Sequence, residues 1–532
     1  MSGPYRDAGG DERAEAPRDE GIVGDVIAQF ADIYAFYREL IQNSIDAGSP
    51  SIEVELTYDR TEQRMRVAVR DRGEGMTRDI VENQLLVLFR STKEKDNTKI
   101  GKFGIGFASV LAPNPEVVTV QTARDKRRLT LYLYRDLSYE LFDAGPATLN
   151  GTTVELTLVM KPQEVDKFAV STLDALTRWC RHATVPIELI ENRADGKVTK
   201  RIDSPLGLAS TLVEVTRVTD DGQLTVVVGL GAPYVGFFNH GLMLHETTEP
   251  LIGKLCAKIQ DPRLGHTLSR DDVRRDASFD RAIAFAKEVV QGDLTRAAEA
   301  RLRELAETGK LADVERLVSA AIAAEIPLER WVLPLVEPIG ESKVADIRQT
   351  RRAWVTDTST PLTVALARQG IPVFLCSDIE LFAADIDRAV GCKVHRVERW
   401  LTCVSPVERT PHDEALLATL VDILDDVYRD PGAIMLAELV GAHADGLAIS
   451  GTSSDAHVVD RDAAAKNPFA LLARRPLVLS VGHPLVQAAR THDDPQLAAA
   501  HLARAVLLQH RLLDEVRSVR ILERALANSG AR

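Results

Sequence analysis

Residues 39–46 read Glu-Leu-Ile-Gln-Asn-Ser-Ile-Asp. Glu39, Asn43 and Asp46 stand four and three positions apart, which on an α-helix places all three on one face. A carboxylate one turn from a carboxamide is useful chemistry: the acid can activate a water while the amide oxygen holds a magnesium ion. By itself the octet describes a solvated helix face equally well. Two further segments give it weight: Asp71-Arg72-Gly73-Glu74-Gly75, and the glycine-rich run IGKFGIGF at 100–107.

Outward from the octet, Val26, Ile27, Phe30, Ile33, Tyr34, Tyr37, Leu40, Ile41 and Ile45 recur at three and four, predicting a helix over 22–47. Ala47-Gly48-Ser49-Pro50 stops it. Alternation then takes over, with Ile52, Val54 and Leu56, then Met65, Val67 and Val69. This predicts two antiparallel strands joined by a polar turn around 59–62, the second running straight into Asp71. A helix-like segment covers 77–90, a polar stretch 91–99, and a helix starts near Phe103 and ends near Leu111. Strands are expected at 116–124, 127–135 and 152–159, and a helix at 164–183. The fold class is therefore α+β at the N-terminal end, helices on one face of a largely antiparallel sheet. A mixed α/β region follows, with strands near 211–229, helices near 278–306 and 312–324, and helix, glycine and buried strand over 361–380. From about 412 the chain reads as mostly helical, ending in two amphipathic helices over 483–528.

At 532 residues the chain is too long for one core and calls for about three or four domains. Its net charge of −13 argues against a nucleic-acid binder held by a broad basic surface. Cys180, Cys256, Cys376, Cys392 and Cys403 form no C-x-x-C pair, which reads as buried, reduced thiols. Cys392 and His395 lack the second ligand pair that zinc requires. Residues 1–20, rich in Gly, Pro and charge, read as a disordered tail and not a signal peptide. No apolar run reaches the roughly 18 residues of a membrane span, so no membrane association is expected.

Asp71 ends a strand, where a buried carboxylate can accept a hydrogen bond from an exocyclic amine such as that of adenine. Gly73 and Gly75 leave room for a flat base to approach the backbone. DRGEG alone reads more readily as an Asp-Gly turn. Gly101, Gly104 and Gly106 precede and enter a helix, where free N–H groups bind phosphate. The run is not a Walker A loop, because no Gly-Lys-Ser/Thr follows. Nor does it close a first βαβ unit with an acid about 20 positions on, as a dinucleotide fingerprint does.

In this order and at these separations, the Glu39/Asn43 helix, Asp71 with its glycines, the 101–106 turn and Gly151-Thr152 resemble the four nucleotide-binding boxes of the GHKL ATPase superfamily. That superfamily includes gyrase B, MutL, histidine kinases and the heat shock protein 90 chaperones. RELIQNSIDAG (38–48) and GKFGIGF (101–107) are closest to the heat shock protein 90 forms. The resemblance implies a role for each matching residue. Glu39 is the general base for the hydrolytic water, Asn43 the magnesium ligand, and Asp46 a supporting acid. Asp71 reads adenine, Gly75 and Met76 line the base, and Thr152 stands behind it. Arg90 falls where the family usually has a lysine. Gly101, Gly104, Ile105, Gly106 and Phe107 form the phosphate-binding turn. Residues 77–100 are the lid, with the stretch from Lys93 to Ile100 shorter than typical.

TLSRDDV (267–273) resembles the middle-domain segment whose arginine, here Arg270, reaches the γ-phosphate. The family often has Gln or Asn where this chain has Arg274. Residues 365–386 resemble the small α/β part of the same middle domain, and 482–509 the C-terminal dimerisation helices. The region 195–260, which carries part of the client surface in relatives, is abbreviated. The implied organisation is a tail over 1–20, an ATP-binding domain over 21–194, a middle domain over 195–403 and a dimerisation domain over 404–532. The implied protein is a cytoplasmic, homodimeric, ATP- and Mg2+-dependent chaperone of bacterial type that acts on client proteins. Two other readings stand beside it: a GHKL clamp acting on DNA or in defence, like MutL or MORC-type proteins, and a nucleotide-gated scaffold with little hydrolysis. The acidic balance argues against the first, and the presence of both Glu39 and Arg270 against the second.

Overall fold

A computed structural model of the protein describes residues 13–14, 32–86, 106–193, 196–267, 272–327, 330–337, 343–350, 352–428, 431–450, 456–458 and 476–529. The chain divides into two compact units, residues 1–294 and 295–532.

The first unit opens with the helix Ala35–Asp46, α1. Its Phe36, Tyr37, Leu40 and Ile41 are buried, as the spacing of three and four requires. The single helix expected over 22–47 is interrupted: residues 32–34 form a turn, with the Ala35 N–H on the Asp32 carbonyl at 3.1 Å, and α1 begins at Ala35. A nine-stranded sheet, counted among the described residues, underlies the helices. Its strands are β1 (Arg13–Ala14), β2 (Ile52–Asp59), β3 (Arg64–Asp71), β4 (Val117–Arg124), β5 (Arg127–Tyr134), β6 (Tyr139–Pro146), β7 (Gly151–Val159), β8 (Ile187–Arg193) and β9 (Gly196–Arg201). Their order is β1-β6-β5-β4-β7-β3-β2-β8-β9, and all pairs are antiparallel except β2 with β8.

The β2–β3 hairpin forms as its alternation predicts: Ile52, Val54 and Leu56 and the facing Met65, Val67 and Val69 are all buried. Asp59 Oδ1 accepts from the Thr61 and Glu62 N–H groups and sets the turn. The helix Val165–Cys180, α2, packs against α1, where the Tyr37 and Thr172 hydroxyls lie 3.0 Å apart. Strand β6 was not expected, because of its eight residues Leu141 alone is buried and the alternation is faint.

Two expected helices are described only in part. Of 77–90, the described part is a single turn at Arg78–Ile80, capped by Thr77, that widens into a π-turn over Val81–Leu85. Of 103–111, the described part is a 3-10 turn, Phe107–Leu111.

A second sheet in this unit comprises β10 (Glu214–Val218), β11 (Thr225–Gly229), β12 (Tyr234–Asn239), β13 (Leu242–Thr247) and β14 (Cys256–Gln260), ordered β10-β11-β14-β12-β13. Strands β10 and β11 fall where strands were expected. The signal for β12–β13 was the two-residue turn His240-Gly241, both with positive φ, the geometry favoured between twisted strands. The helix expected over 278–306 breaks instead. Ala277–Val289, N-capped by Asp276, ends in a π-turn at Val290–Leu294, and a further helix, Thr295–Glu307, opens the second unit.

In the second unit, β15 (Arg352–Thr356), β16 (Val373–Leu375) and β17 (Lys393–Arg396) form a parallel sheet ordered β16-β15-β17. The helix, glycine and strand expected over 361–380 appear as Pro361–Arg368, Gly370 and β16. A five-stranded sheet follows, from β18 (Leu401–Pro406), β19 (Ile434–Gly441), β20 (Ala448–Ser450), β21 (Ala456–Val458) and β22 (Leu477–Ser480). Helices beyond 412 are present as Pro411–Val427, Pro484–Thr491, Pro495–Gln509 and Glu515–Ser529, so the stretch 483–528 holds three helices where two were expected. The sheet between them lies outside the helical reading. Its strands are short, continuous apolar runs such as Leu477–Ser480, which periodicity cannot separate from buried helix. Leu416, Leu420 and Ile423 of the first of these helices share one core with Leu502, Val506 and Ile521 of the later ones.

All five cysteines are free and buried, and burial pushes the Cys180 and Cys376 thiols up to about 12, far from nucleophilic at neutral pH. Among the described residues no helix is long and apolar enough to cross a membrane.

Candidate functional site

Between α1 and the ends of β3, β4 and β7 lies a cavity of about 470 Å³. Glu39, Asn43 and Asp46 line it from α1, Asp71 from the end of β3, Gly75 and Met76 from the following loop, and Thr152 from β7. Gly106 and Phe107 also line it. Residues separated by more than 100 positions thus meet at one site because β3 is flanked by β7 and packs under α1.

The helix arranges its polar face by depth. Glu39 is buried, with Arg38 Nη2 3.5 Å from its Oε1. Asn43 and Asp46 are exposed at the rim, and Asp46 Oδ1 accepts from Gln42 Nε2 at 3.2 Å. The polar face therefore runs from an exposed rim to a buried carboxylate one helical turn inward. That is the gradient a water-activating acid needs beside a metal-binding amide.

Asp71 is held from several sides. Its Oδ1 accepts from the Gly73 N–H at 2.9 Å and the Thr152 N–H at 3.2 Å, and its Oδ2 accepts from the Ser44 hydroxyl at 3.3 Å. Burial pushes the carboxyl above its ordinary value; the three donors pull the other way without overcoming it. A second layer backs this end. Thr122 Oγ1 accepts from the Met76 N–H at 2.8 Å and lies 3.1 Å from Thr152 Oγ1.

Gly75 lines the cavity and Gly73 does not. A Cβ on Gly73 would sit 2.6 Å from the Ala47 carbonyl oxygen. Gly73 is there so that the loop can pass the end of α1, where the Glu74 N–H also bonds the Ala47 carbonyl at 2.9 Å. Gly75 has φ +70°, and its Cβ would overlap the Ala123 carbonyl, so it serves both turn and close approach. Phe107 lines the cavity but is otherwise a core side chain, 3% exposed.

Arg90, Gly101, Gly104, Ile105 and Arg270 lie outside the described residues, as does most of the expected lid. The loop carrying Arg270 has a described base, where Thr267 N bonds Asp272 O at 2.9 Å and Arg274 N bonds Gly265 O at 2.8 Å. Arg274 also donates to Asp276 Oδ2 at 2.8 Å, so it ties this base to the cap of the next helix.

Sequence reading missed Ser44, Thr122, Val120, Val154 and the apolar wall of Ile80 and Leu85. Ser44 stood inside the decisive octet. Val120 and Val154 were readable only as strand residues, since nothing local says which strand end faces a cavity.

The walls suit a flat base, and the volume falls in the usual range for ligand pockets. Among the described residues no group of three or more His, Cys, Asp or Glu could hold a metal alone. An oxygen donor such as the Asn43 amide fits a magnesium ion that phosphate oxygens also hold.

Residues 36–170 match the family model described as histidine kinase-, DNA gyrase B- and HSP90-like ATPase. The chain is 28% identical over 190 residues to the chaperone protein HtpG of Shewanella denitrificans, covering 30% of each protein. It is 26% identical over 196 residues to HtpG of Wolbachia pipientis, covering 31% of this chain and 30% of that one. With HtpG of Shewanella sp. strain ANA-3 it shares 24% over 248 residues, 41% of this chain and 38% of that one. The matches thus span well under half the length of these relatives. Residues 36–170, which build the cavity from α1 to β7, thus match an ATPase-domain model of the histidine kinase, gyrase B and heat shock protein 90 type, and the matched part of the chain is similar to the bacterial HtpG chaperones.

Proposed function

We propose that the protein is an ATP-dependent molecular chaperone of the heat shock protein 90 type. The observation that carries this reading is the shared cavity: a buried carboxylate, Glu39, one helical turn from the exposed amide of Asn43, facing a base end built by Asp71 and Thr152. In this reading Asp71 accepts a hydrogen bond from the adenine amine, and Met76 and Gly75 flank the ring. Asn43 holds the magnesium ion that accompanies the triphosphate. A bound magnesium ion would supply charge neutralisation to the triphosphate. Glu39 takes the proton of the attacking water, and Arg270, from the loop based at Thr267 and Asp272, faces the γ-phosphate.

The wider reading follows from the HtpG relatives. Nucleotide binding favours a closed clamp on client proteins, and turnover releases it, because a ligand shifts an equilibrium only by binding one state more tightly. The domains expected at 21–194, 195–403 and 404–532, a homodimer through the C-terminal helices, a cytoplasmic location and a role in the stress response belong to the same proposal.

Glu39→Ala tests it. The variant should bind ATP within about threefold of wild type by calorimetry and lose at least about 100-fold in turnover, the scale of a lost general base. Undiminished magnesium-dependent hydrolysis by this variant would reject Glu39 as the base.

A further inference from the structure

We infer that Thr122, a residue that does not line the cavity, sets the hydrogen-bonding polarity of its base end; this rests on the ATP reading above. Thr122 lies on β4 and is 2% exposed. Its hydroxyl touches two groups that do line the cavity from separate elements: it accepts from the Met76 N–H at 2.8 Å and stands 3.1 Å from Thr152 Oγ1. The Gly151 carbonyl oxygen is 3.4 Å away.

A hydroxyl has one proton to give. With a lone pair engaged by Met76, Thr122 has two settings. In one it donates to Thr152 Oγ1, which leaves the Thr152 proton free to point into the cavity. In the other Thr152 donates to Thr122, Thr122 donates to the Gly151 carbonyl, and Thr152 shows the ligand an acceptor only. With its proton on the nearer acceptor, Thr152 Oγ1 at 3.1 Å against the Gly151 carbonyl at 3.4 Å, Thr122 takes the first setting. The base end then presents an acceptor, Asp71 Oδ2, together with a donor, the Thr152 hydroxyl. That pair complements a 6-aminopurine, whose exocyclic amine adjoins an unprotonated ring nitrogen. A 6-oxopurine presents the reverse order.

The neighbours of Thr122 act in the same place. Arg124 Nη1 donates to the Gly75 carbonyl at 3.4 Å, and its Nη2 lies 2.9 Å from Glu74 Oε2. Ala123 blocks any side chain at Gly75. Three successive residues at the end of β4 therefore seat the loop 74–76, and among them Thr122 also joins β7 through its side chain. Thr122 is a positioning residue, acting through Met76 and Thr152.

The test uses the full chain with Thr122→Val, which keeps the shape and removes the hydroxyl, and Thr122→Ser, which restores it. Thr122→Val should raise the Kd for ATP and for ADP alike by about tenfold, the upper end for one net hydrogen bond. It should narrow the preference for ATP over inosine triphosphate and leave turnover at saturating ATP within about twofold. Thr122→Ser should return to within about threefold of wild type. If Thr122→Val does not fold, Thr122→Ala carries the same expectation. Unchanged affinity in the hydroxyl-free variant, or a serine variant as impaired as valine, overturns the role of Thr122 while leaving the ATP reading intact. Failure of the wild-type chain to bind ATP overturns the ATP reading and this inference with it.

Discussion

Asp71 shows how a single residue can be placed against its own solvation preference. Burial raises its carboxyl, so the ionised form costs the folded chain free energy. The sign follows. A carboxyl raised in the folded state contributes stability that is present below its unfolded value and lost as pH rises through its folded value. At neutral pH the ionised Asp71 therefore strains the nucleotide-free protein. Asp71→Asn should weaken ATP by about 10- to 100-fold or more, the cost of losing a charged acceptor, while leaving the nucleotide-free melting midpoint the same or higher. Calorimetry and thermal unfolding check the two halves; a lower midpoint in the variant rejects the strain. Glu39, Asn43 and Asp71 were readable from sequence because their spacing and their place at an element's end carry chemistry. Ser44 and Thr122 were not, because a hydroxyl on a helix or strand has no local mark that says which carboxylate or hydroxyl it will meet.

At the scale of elements, the helix Pro411–Val427 carries a testable ion pair. Asp413 is 1% exposed, closes a capping box with Thr410, and receives Arg490 through Nε at 2.8 Å and Nη2 at 3.0 Å. The Arg490 guanidinium holds the Asp413 carboxyl well below the usual carboxylate range. Here the sign is opposite to that of Asp71: the stability is present above the unfolded value, about 3.9, and is lost as pH falls through the folded one. Asp413→Asn should cost about 1.5–3 kcal/mol at neutral pH, the scale of hydrogen bonds to a charged group, and progressively less below about pH 4. Denaturant titrations at several pH values measure this, and a cost independent of pH would contradict the pairing. The element itself was legible, since Thr410-Pro411 followed by Asp413 is a start signal. Its partner Arg490, 77 positions later, was not, because pairing across helices depends on how they pack.

At the scale of the molecule, the last helix, Glu515–Ser529, has two faces. Ile521 and Ala525 are buried in the core with Leu416 and Leu420, while Val516, Val519 and Leu526 are 77%, 49% and 69% exposed. Removing everything after residue 470 would therefore strip the core of its second unit as well as any interface. Replacing exposed residues is the cleaner test of the proposed homodimer. Val516→Glu combined with Leu526→Glu should give a monomer by light scattering that still binds ATP and melts within a few degrees of wild type; a persistent dimer places the interface elsewhere.

The resemblance of the octet at 39–46, Asp71 and the glycine turns to known boxes is what pointed to a nucleotide pocket, while the spacing of the octet and the alternation of the hairpin determined the elements of an α+β layer. Short-range periodicity suffices for that, because each signal lies within one element. What tertiary structure decided is depth and direction. Glu39 is buried while Asn43 and Asp46 are exposed. Gly73 makes room for Ala47, and Thr122 ties Met76 to Thr152. It also placed a sheet among the C-terminal helices. These depend on which distant segment lies across an element, and packing rather than propensity determines that.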